Sequence, residues 1–112
     1  MHTNECIFCS ILSQKIPAPI IAENDAVFVI KDINPKAPIH YLIITKKHIH
    51  SLQQMAQTDA HLTTSLFLMA QHLAEKTPDN SCRLIMNNGA TSGQSVFHMH
   101  VHFLAGKIMT DF

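Results

Sequence analysis

Near the C-terminal end of the chain, polar and apolar side chains alternate with a period of two. Residues 98–102 read His-Met-His-Val-His, and the apolar run continues through Phe103, Leu104 and Ala105 to Gly106. Because successive side chains of a β-strand point to opposite faces of a sheet, this pattern predicts a strand from about residue 95 to residue 104. The three histidines would share one face, about 6.5 Å apart, and the apolar side chains between them would face the core.

The remaining chain shows further strand and helix patterns. Apolar β-rich runs predict strands at residues 20–23, 26–31, 39–45 and 82–87, with Asn24-Asp25 as a turn between the first two. Apolar positions at helical spacing predict a short helix within residues 6–14, and a long one from a cap at Thr58-Asp59 to about residue 76. This order predicts an α+β fold: an antiparallel sheet of five to six strands with one long and one short helix, forming one domain over residues 1–112.

Composition narrows the class of protein. The chain has 112 residues, 46% of them hydrophobic, with eight basic and eight acidic side chains and a formal net charge of zero. This hydrophobic content suffices for a folded core. The balanced charge argues against binding to a nucleic acid polymer or to a membrane surface. No apolar stretch reaches the roughly 20 residues of a membrane span, and we expect a cytoplasmic protein.

Two of the three cysteines form a CxxC pair, Cys6 and Cys9. In a cytosolic protein this spacing indicates metal binding or thiol redox chemistry, and the lack of a preceding strand favours a metal. A tetrahedral zinc ion would need two more ligands. Candidates are His2, His48, His50, His61, His72 and His98. Cys82 precedes an apolar run, and we expect it to be a buried thiol.

A row of neutral imidazoles suits attack on phosphorus. Histidine has an unperturbed pKa of about 6.5, so much of it is unprotonated near neutral pH and nucleophilic. An attacking ring needs one nitrogen free and the other N–H held by an acceptor. The loop before the histidines contains Gly93, which would either aim its backbone at an anion or simply form a turn, and Ser95, whose hydroxyl would either donate a proton or cap the loop.

Three segments carry a resemblance to a known family. Residues 94–106 resemble the histidine triad (HIT) motif, in which three histidines alternate with apolar residues. Residues 32–40, followed by Lys46-Lys47-His48-Ile49, are similar to a second signature of the Hint branch, the nucleoside phosphoramidases. Cys6-Ile7-Phe8-Cys9 with Ile16-Pro17-Ala18 is similar to the N-terminal signature of its CxxC-bearing, bacterial-type members.

The resemblance implies hydrolysis of the P–N bond of purine nucleoside 5′-phosphoramidates, and of related acyl- and aminoacyl-adenylates. It implies that His100 is the nucleophile that takes up the nucleotidyl group. His102 would contact the phosphate, Ser95 would protonate the leaving amine, and His40 would support the triad through hydrogen bonds. Protonation matters because an amide anion leaves poorly.

The resemblance also implies the substrate-binding residues. Asp32 would accept the ribose hydroxyls, and Asn87, Gly93, Gln94 and Ser95 would line the phosphate pocket. The base would lie between the apolar side chains of Ile7, Phe8, Ile11, Ile30 and Ile33.

A structural zinc site and a homodimer are implied as well. CxxC-bearing relatives hold zinc through both cysteines, the histidine of the Lys-Lys-His segment and the first histidine of the triad. Here these are Cys6, Cys9, His48 and His98. The zinc would not take part in catalysis. The homodimer would join the central sheets of two subunits across the interface.

The resemblance weakens after the triad. Ala105 stands where a second glycine is common, and residues 107–112 lack the tryptophan- and proline-containing tail of many Hint relatives. That tail shapes the preference for a leaving group, so we expect this preference to differ here.

Three alternatives remain open at this point. In a metallohydrolase, His98, His100 and His102 would together hold a catalytic metal. A non-catalytic module would bind a nucleotide without turnover. A dinucleoside polyphosphate hydrolase would share the fold, although the CxxC pair and Gln94-Ser95 favour the phosphoramidase branch.

Overall fold

The computed structural model describes residues 6–107, which form one antiparallel sheet with two α-helices packed against it. The strands are β1 (Ala22–Glu23), β2 (Val27–Lys31), β3 (Ile39–Thr45), β4 (Arg83–Ile85) and β5 (His100–Ala105), and the helices are α1 (Ile7–Leu12) and α2 (Ala60–Ala74). Short 3-10 turns occupy Leu52–Gln54, Gln57–Asp59 and Ala90–Ser92. The strand order across the sheet is β1-β2-β3-β5-β4.

The long helix covers one face of the sheet. Its apolar side chains recur at three- and four-residue spacing, which places them on one side of the helix. Leu62, Leu66, Met69, Ala70 and Leu73 are all buried there. They pack against buried strand residues of the same face, which include Val27, Val29, Ile43, Val101 and Phe103. Full burial of one such side chain contributes about 1.5–3 kcal/mol.

The short helix α1 covers the opposite face. Phe8 and Ile11 of this helix are buried in a second apolar cluster, which includes Phe28, Ile30 and Ile44 of the sheet. Cys6 lies at the N-cap position, where its Sγ accepts a hydrogen bond from the Cys9 N–H. Both faces of the central strands are therefore covered, and the histidine-bearing side of β5 lies on the α1 face.

The expected fold class is confirmed: an α+β arrangement with five antiparallel strands, one long helix and a short N-terminal helix. None of the described helices is both long and apolar enough to cross a membrane. His2 and residues 108–112, which include most of the C-terminal segment, lie outside the described residues.

The predicted strand at residues 95–104 was too long at its start, because the ladder with β3 begins only at the pair Ile44–His100. Ahead of it, the Met99 N–H donates to the Ile49 carbonyl instead of continuing the regular pairing. The two outer strands are also shorter than predicted: residues 22–23 instead of 20–23, and 83–85 instead of 82–87. Cys82 is exposed, contrary to the expectation of a buried thiol.

Candidate active site and metal centre

A cleft of about 530 Å³ opens between α1, the ends of β2 and β5, and the loop that precedes β5. This volume lies within the range of small-molecule sites, about 300–1,000 Å³. Of the residues predicted to bind substrate or react, the cleft brings together Ile7, Phe8, Ile11, Ile30, Asp32, Ile33, Asn87, Gly93, Ser95, His100 and His102. His40 lies behind this surface, in contact with His102. The roles assigned to these residues remain predictions.

The mouth of the cleft is apolar. Ile33 is 90% exposed and Ile7 is 45% exposed, although both line the cleft. Large aliphatic side chains held open to water at the edge of a pocket are typical of a ligand-binding surface. Here they form a slot suited to a flat, weakly polar group.

The ring of His100 is held by a backbone oxygen. Its Nδ1 lies 2.7 Å from the carbonyl oxygen of His98. Because a carbonyl only accepts hydrogen bonds, Nδ1 carries the proton and Nε2 keeps a lone pair. Burial lowers the pKa of His100, while the bond to the His98 carbonyl and the charge of Asp32 partly oppose this effect. His100 is therefore a neutral imidazole with a nucleophilic Nε2.

His102 is held in the opposite tautomer. The Lys36 N–H donates to Nδ1 of His40 at 3.0 Å, so the proton of a neutral His40 lies on Nε2. That Nε2–H lies 2.9 Å from Nδ1 of His102 and donates to it. Nδ1 of His102 therefore accepts, and its Nε2 carries the proton. His102 is thus a hydrogen-bond donor beside His100, and the centroids of the two rings are 5.4 Å apart.

Burial and neighbouring groups keep this pair uncharged. Burial lowers the pKa of His102 from 6.5 to about 4, assisted by His100, His40 and Lys36 and opposed by Asp32. Burial also lowers the pKa of His40, and here the charge of Asp32 opposes the shift. Near neutral pH the site therefore contains neutral imidazoles in fixed tautomers.

Asp32 contributes a carboxylate to the cleft. Its Oδ1 accepts a hydrogen bond from the Asn34 N–H at 2.8 Å. Its Oδ2 lies 3.4 Å from Nε2 of His40 and 3.8 Å from Nδ1 of His102. Asp32 therefore has one oxygen fixed by the turn at residues 32–34 and the other near the histidines.

Gln94 does not line the cleft, although the family resemblance implied a place for it in the phosphate pocket. Its side chain is buried, and its amide group bonds to the backbone of Gly89, His50 and Val96. The physical reason is that the amide group bonds to one N–H and two carbonyls of the surrounding backbone, which hold the side chain away from the cleft. Gly93 and Ser95, on either side of it in sequence, do line the cleft.

Lys31, Asn34, Lys36, Leu42 and Val96 also line the cleft and were not predicted to bind substrate. Leu42 pairs with His102 across the β3–β5 ladder, so its position follows from the register. The two lysines place positive charge beside the cleft. Lys31 directly precedes Asp32 and Lys36 follows Ile33 by three residues, and this nearness in sequence was the available signal for them.

A second cluster lies at the N-terminal end of α1, and it consists of Cys6, Cys9, His48 and His98. Nδ1 of His98 is 3.2 Å from Sγ of Cys6 and 3.6 Å from Sγ of Cys9, and Nδ1 of His48 is 3.3 Å from Sγ of Cys9. The two Nδ1 atoms are 3.1 Å apart. These values are close to the edges of a tetrahedron around zinc, ~3.3 Å between two nitrogens and ~3.6 Å between a nitrogen and a sulfur.

The chemistry of this donor set also fits a metal ion. Nε2 of His98 lies 2.6 Å from the Thr45 carbonyl and donates its proton there, so Nδ1 presents a lone pair to the cluster. Thiolate sulfur and imidazole nitrogen are preferred zinc ligands. Cys6, Cys9 and His98 are buried, as a closed structural site requires. The cluster can hold a metal ion.

A group made of Asp32, His40 and His102 has metal-ligand spacing too, but its hydrogen bonds do not suit a metal. The proton on Nε2 of His40 blocks the only atom of that ring that faces the group. Among the described residues, His98, His100 and His102 do not converge on one point, because the ring of His98 belongs to the cysteine cluster. The structure therefore gives no support to a triad-bound catalytic metal.

Comparison with known proteins agrees with this geometry. A family model described as "Scavenger mRNA decapping enzyme C-term binding" matches residues 5–112. An uncharacterized HIT-like protein of Synechocystis is 40% identical over 104 residues, which cover 92% of this chain and 91% of that protein. The solved structure of a HIT family hydrolase from Clostridium thermocellum is 37% identical, with a TM-score of 0.91 over 99% of this chain and 98% of that one.

The chain therefore belongs to the histidine triad family. A more distant member of known structure is described as a Zn-bound histidine triad family protein from Mycobacterium smegmatis. It is 27% identical, with a TM-score of 0.78 over 92% of this chain and 76% of that one.

The low pKa of His102 can be measured directly. We expect its ring to take up a proton only near pH 4, whereas the unfolded chain would bind that proton near pH 6.5. Lowering the pH through this interval therefore favours unfolding. Proton NMR of the histidine rings from pH 8 to pH 4, with a His102→Asn variant to assign the signal, measures the value. A midpoint above about 6 would contradict the buried, neutral state.

Proposed function

We propose that the protein is a nucleotide hydrolase that cleaves the P–N bond of purine nucleoside 5′-phosphoramidates and related acyl- or aminoacyl-adenylates. The observation that carries this proposal is the pair of neutral histidines in opposite tautomers. His100 offers a lone pair on Nε2, while His102 offers an N–H beside it. The relation to proteins described as HIT family hydrolases supports a hydrolytic role.

In the first step, Nε2 of His100 attacks the phosphorus and forms a P–N bond to the enzyme. The bond between phosphorus and the substrate amine breaks, and its electron pair stays on the departing nitrogen. The Ser95 hydroxyl gives its proton to that nitrogen, so a neutral amine leaves. The N–H of His102 stabilises the negative charge on the non-bridging oxygens.

In the second step, water attacks the phosphorus of the nucleotidyl-His100 intermediate. The new P–O bond replaces the P–Nε2 bond, whose electron pair returns to the imidazole. One proton of the water restores the Ser95 hydroxyl, and the nucleoside monophosphate leaves. Each group is thereby returned to its starting state without a metal in the reaction.

The shape and charge of the cleft support a nucleotide substrate. The isoleucine-lined slot suits a purine base, and the carboxylate of Asp32 suits ribose hydroxyls. Lys31 and Lys36 add positive charge for the phosphate. Gly93 and His102 line the same cleft as His100, and of these two the ring N–H of His102 is the donor proposed for the phosphate.

The covalent step is tested by the His100→Ala variant. We expect wild-type protein mixed with adenosine 5′-phosphoramidate to gain the mass of one adenylyl group, and the variant to gain none. Because the nucleophile is lost, turnover should fall by about 10³-fold or more. The exposed His72→Ala variant serves as the matched control. Undiminished turnover by His100→Ala, or an adduct on that variant, would contradict the mechanism.

We further propose that the cluster of Cys6, Cys9, His48 and His98 binds a structural zinc ion. Its donor distances and the protonation of His98 support this, as does the existence of a zinc-bound relative. The ion would fix α1, and with it the Phe8 and Ile11 side of the cleft, to the ends of β3 and β5.

The zinc proposal is tested with cysteine variants. We expect Cys9→Ser to lower the zinc content from about one ion per chain to nearly none, and to lower the melting temperature by about 10 °C or more. Cys82→Ser, which alters the exposed third cysteine, should change neither value. Metal analysis and calorimetry give both readouts. If wild-type protein that is produced in zinc-containing medium is purified without bound metal, the proposal is wrong.

We also propose a homodimer formed by α2 and the outer strand β4. Phe67 and Leu68 of α2 are each 57% exposed, and beside Phe67 an apolar groove includes Leu84 and Met86 around β4. Stable interfaces bury about 800 Å² on each partner, mainly apolar at the centre. We expect sedimentation to give twice the 12.5 kDa of one chain, and Phe67→Glu to give monomers. A monomeric wild-type protein at micromolar concentration would refute this.

A further inference from the structure

The amide group of Gln94 is fully engaged with the backbone. Only 5% of this residue is exposed. Its Oε1 accepts a hydrogen bond from the Gly89 N–H at 2.8 Å, and its Nε2 donates to the carbonyls of His50 at 2.9 Å and Val96 at 3.2 Å. Both N–H bonds of the amide are thereby used, so Gln94 has no donor left for a ligand.

The three partners of this amide belong to three different segments. Gly89 begins the turn that leads to Gly93, and the Gln94 N–H also donates to the Gly89 carbonyl at 3.1 Å. His50 lies in the segment after β3, and Val96 leads into β5. A ring contact reinforces the junction, because the imidazole of His50 stacks on Phe97 with centroids 4.7 Å apart. Gln94 therefore links three segments through hydrogen bonds: the turn at Gly89, the segment after β3 at His50, and the segment before β5 at Val96.

Ser95 lies in sequence between Gln94 and Val96, which are hydrogen-bonded to each other. Its own side chain is exposed in the cleft and is not held by a hydrogen bond within residues 6–107. Its position is therefore set by the backbone on either side. Gln94 fixes that backbone directly, through its own buried side chain and through the carbonyl of Val96.

We propose that Gln94 is a positioning residue that holds the Ser95 hydroxyl at the site of the departing amine. The inference rests on the proposed function, in which Ser95 protonates that amine. A proton donor acts only within hydrogen-bond reach of the atom that it protonates. A displacement of about 1 Å can reduce the rate about 100-fold.

The test uses Gln94→Met, which keeps the volume of the side chain and removes its hydrogen bonds. We expect kcat for an alkylamine adenosine phosphoramidate to fall by about 10- to 100-fold, with KM little changed. For the 4-nitrophenyl ester of adenosine monophosphate, whose leaving group departs without protonation, the fall should be below about 3-fold. Gln54→Met, at an exposed glutamine, is the matched control.

A double variant separates positioning from a general loss of stability. If Gln94 acts through Ser95, Gln94→Met should lower kcat no further in a Ser95→Ala background. Equal losses for both substrates, multiplied losses in the double variant, or unchanged turnover of the phosphoramidate would each overturn the proposal. Should Gln94→Met fail to fold, Gln94→Glu retains the acceptor for Gly89 and the same outcomes apply.

An NMR readout keeps this proposal separate from the proposed function. In Gln94→Met we expect faster hydrogen exchange of the Gly89 amide and a shifted Ser95 amide signal, with the signals of α2 unchanged. If wild-type protein does not cleave the phosphoramidate, the proposed function fails, and these signals alone decide the role of Gln94. Unaltered exchange and an unmoved Ser95 signal would overturn it.

Discussion

The register between β3 and β5 is the constraint on which the rest of the site depends. It pairs Leu42 with His102 and Ile44 with His100, so that both histidines face α1 while Val101 and Phe103 face α2. It also brings His40, paired with Leu104, diagonally next to His102, where their rings form a hydrogen bond. A slip of one residue would move the histidines into the apolar core under α2. The buried apolar face of β5 therefore fixes the position of the face that carries His100 and His102.

Backbone groups then give chemically identical side chains different roles. The carbonyl of His98 fixes the proton of His100 on Nδ1, whereas the N–H of Lys36, acting through His40, fixes the proton of His102 on Nε2. His98 itself serves two sites, because its ring faces the cysteine cluster while its carbonyl holds His100. Phe8, between the two cysteines in sequence, contacts the rings of both histidines. Phe8 thus packs between the proposed metal site and the proposed nucleophile.

The strong apolar patterns were sufficient to predict the architecture. The strand at residues 39–45 and the buried stripe of α2 agree with the sequence because periodic burial leaves a periodic pattern. The predicted start of β5 was too early, because residues 95–99 make their backbone hydrogen bonds outside the regular ladder: the Met99 N–H bonds to Ile49 and the Val96 carbonyl to Gln94. The resemblance implied a place for Gln94 in the phosphate pocket, and its burial could not be predicted because its partners are backbone groups, which leave no pattern in the sequence. The tautomers of His100 and His102 could not be predicted for the same reason, because the His98 carbonyl and the Lys36 N–H that fix them are also backbone groups. Lys31 and Lys36 were missed because isolated lysines usually indicate only a solvated surface.

The proposed chemistry requires that His100 and His102 are neutral and hold their protons on opposite ring nitrogens. Nitrogen-15 chemical shifts of the two imidazoles at neutral pH, assigned with single-histidine variants, report this directly. We expect a proton on Nδ1 of His100 with a bare Nε2, and a proton on Nε2 of His102 with a bare Nδ1. Two rings in the same tautomer, or a protonated imidazolium at His100, would contradict it.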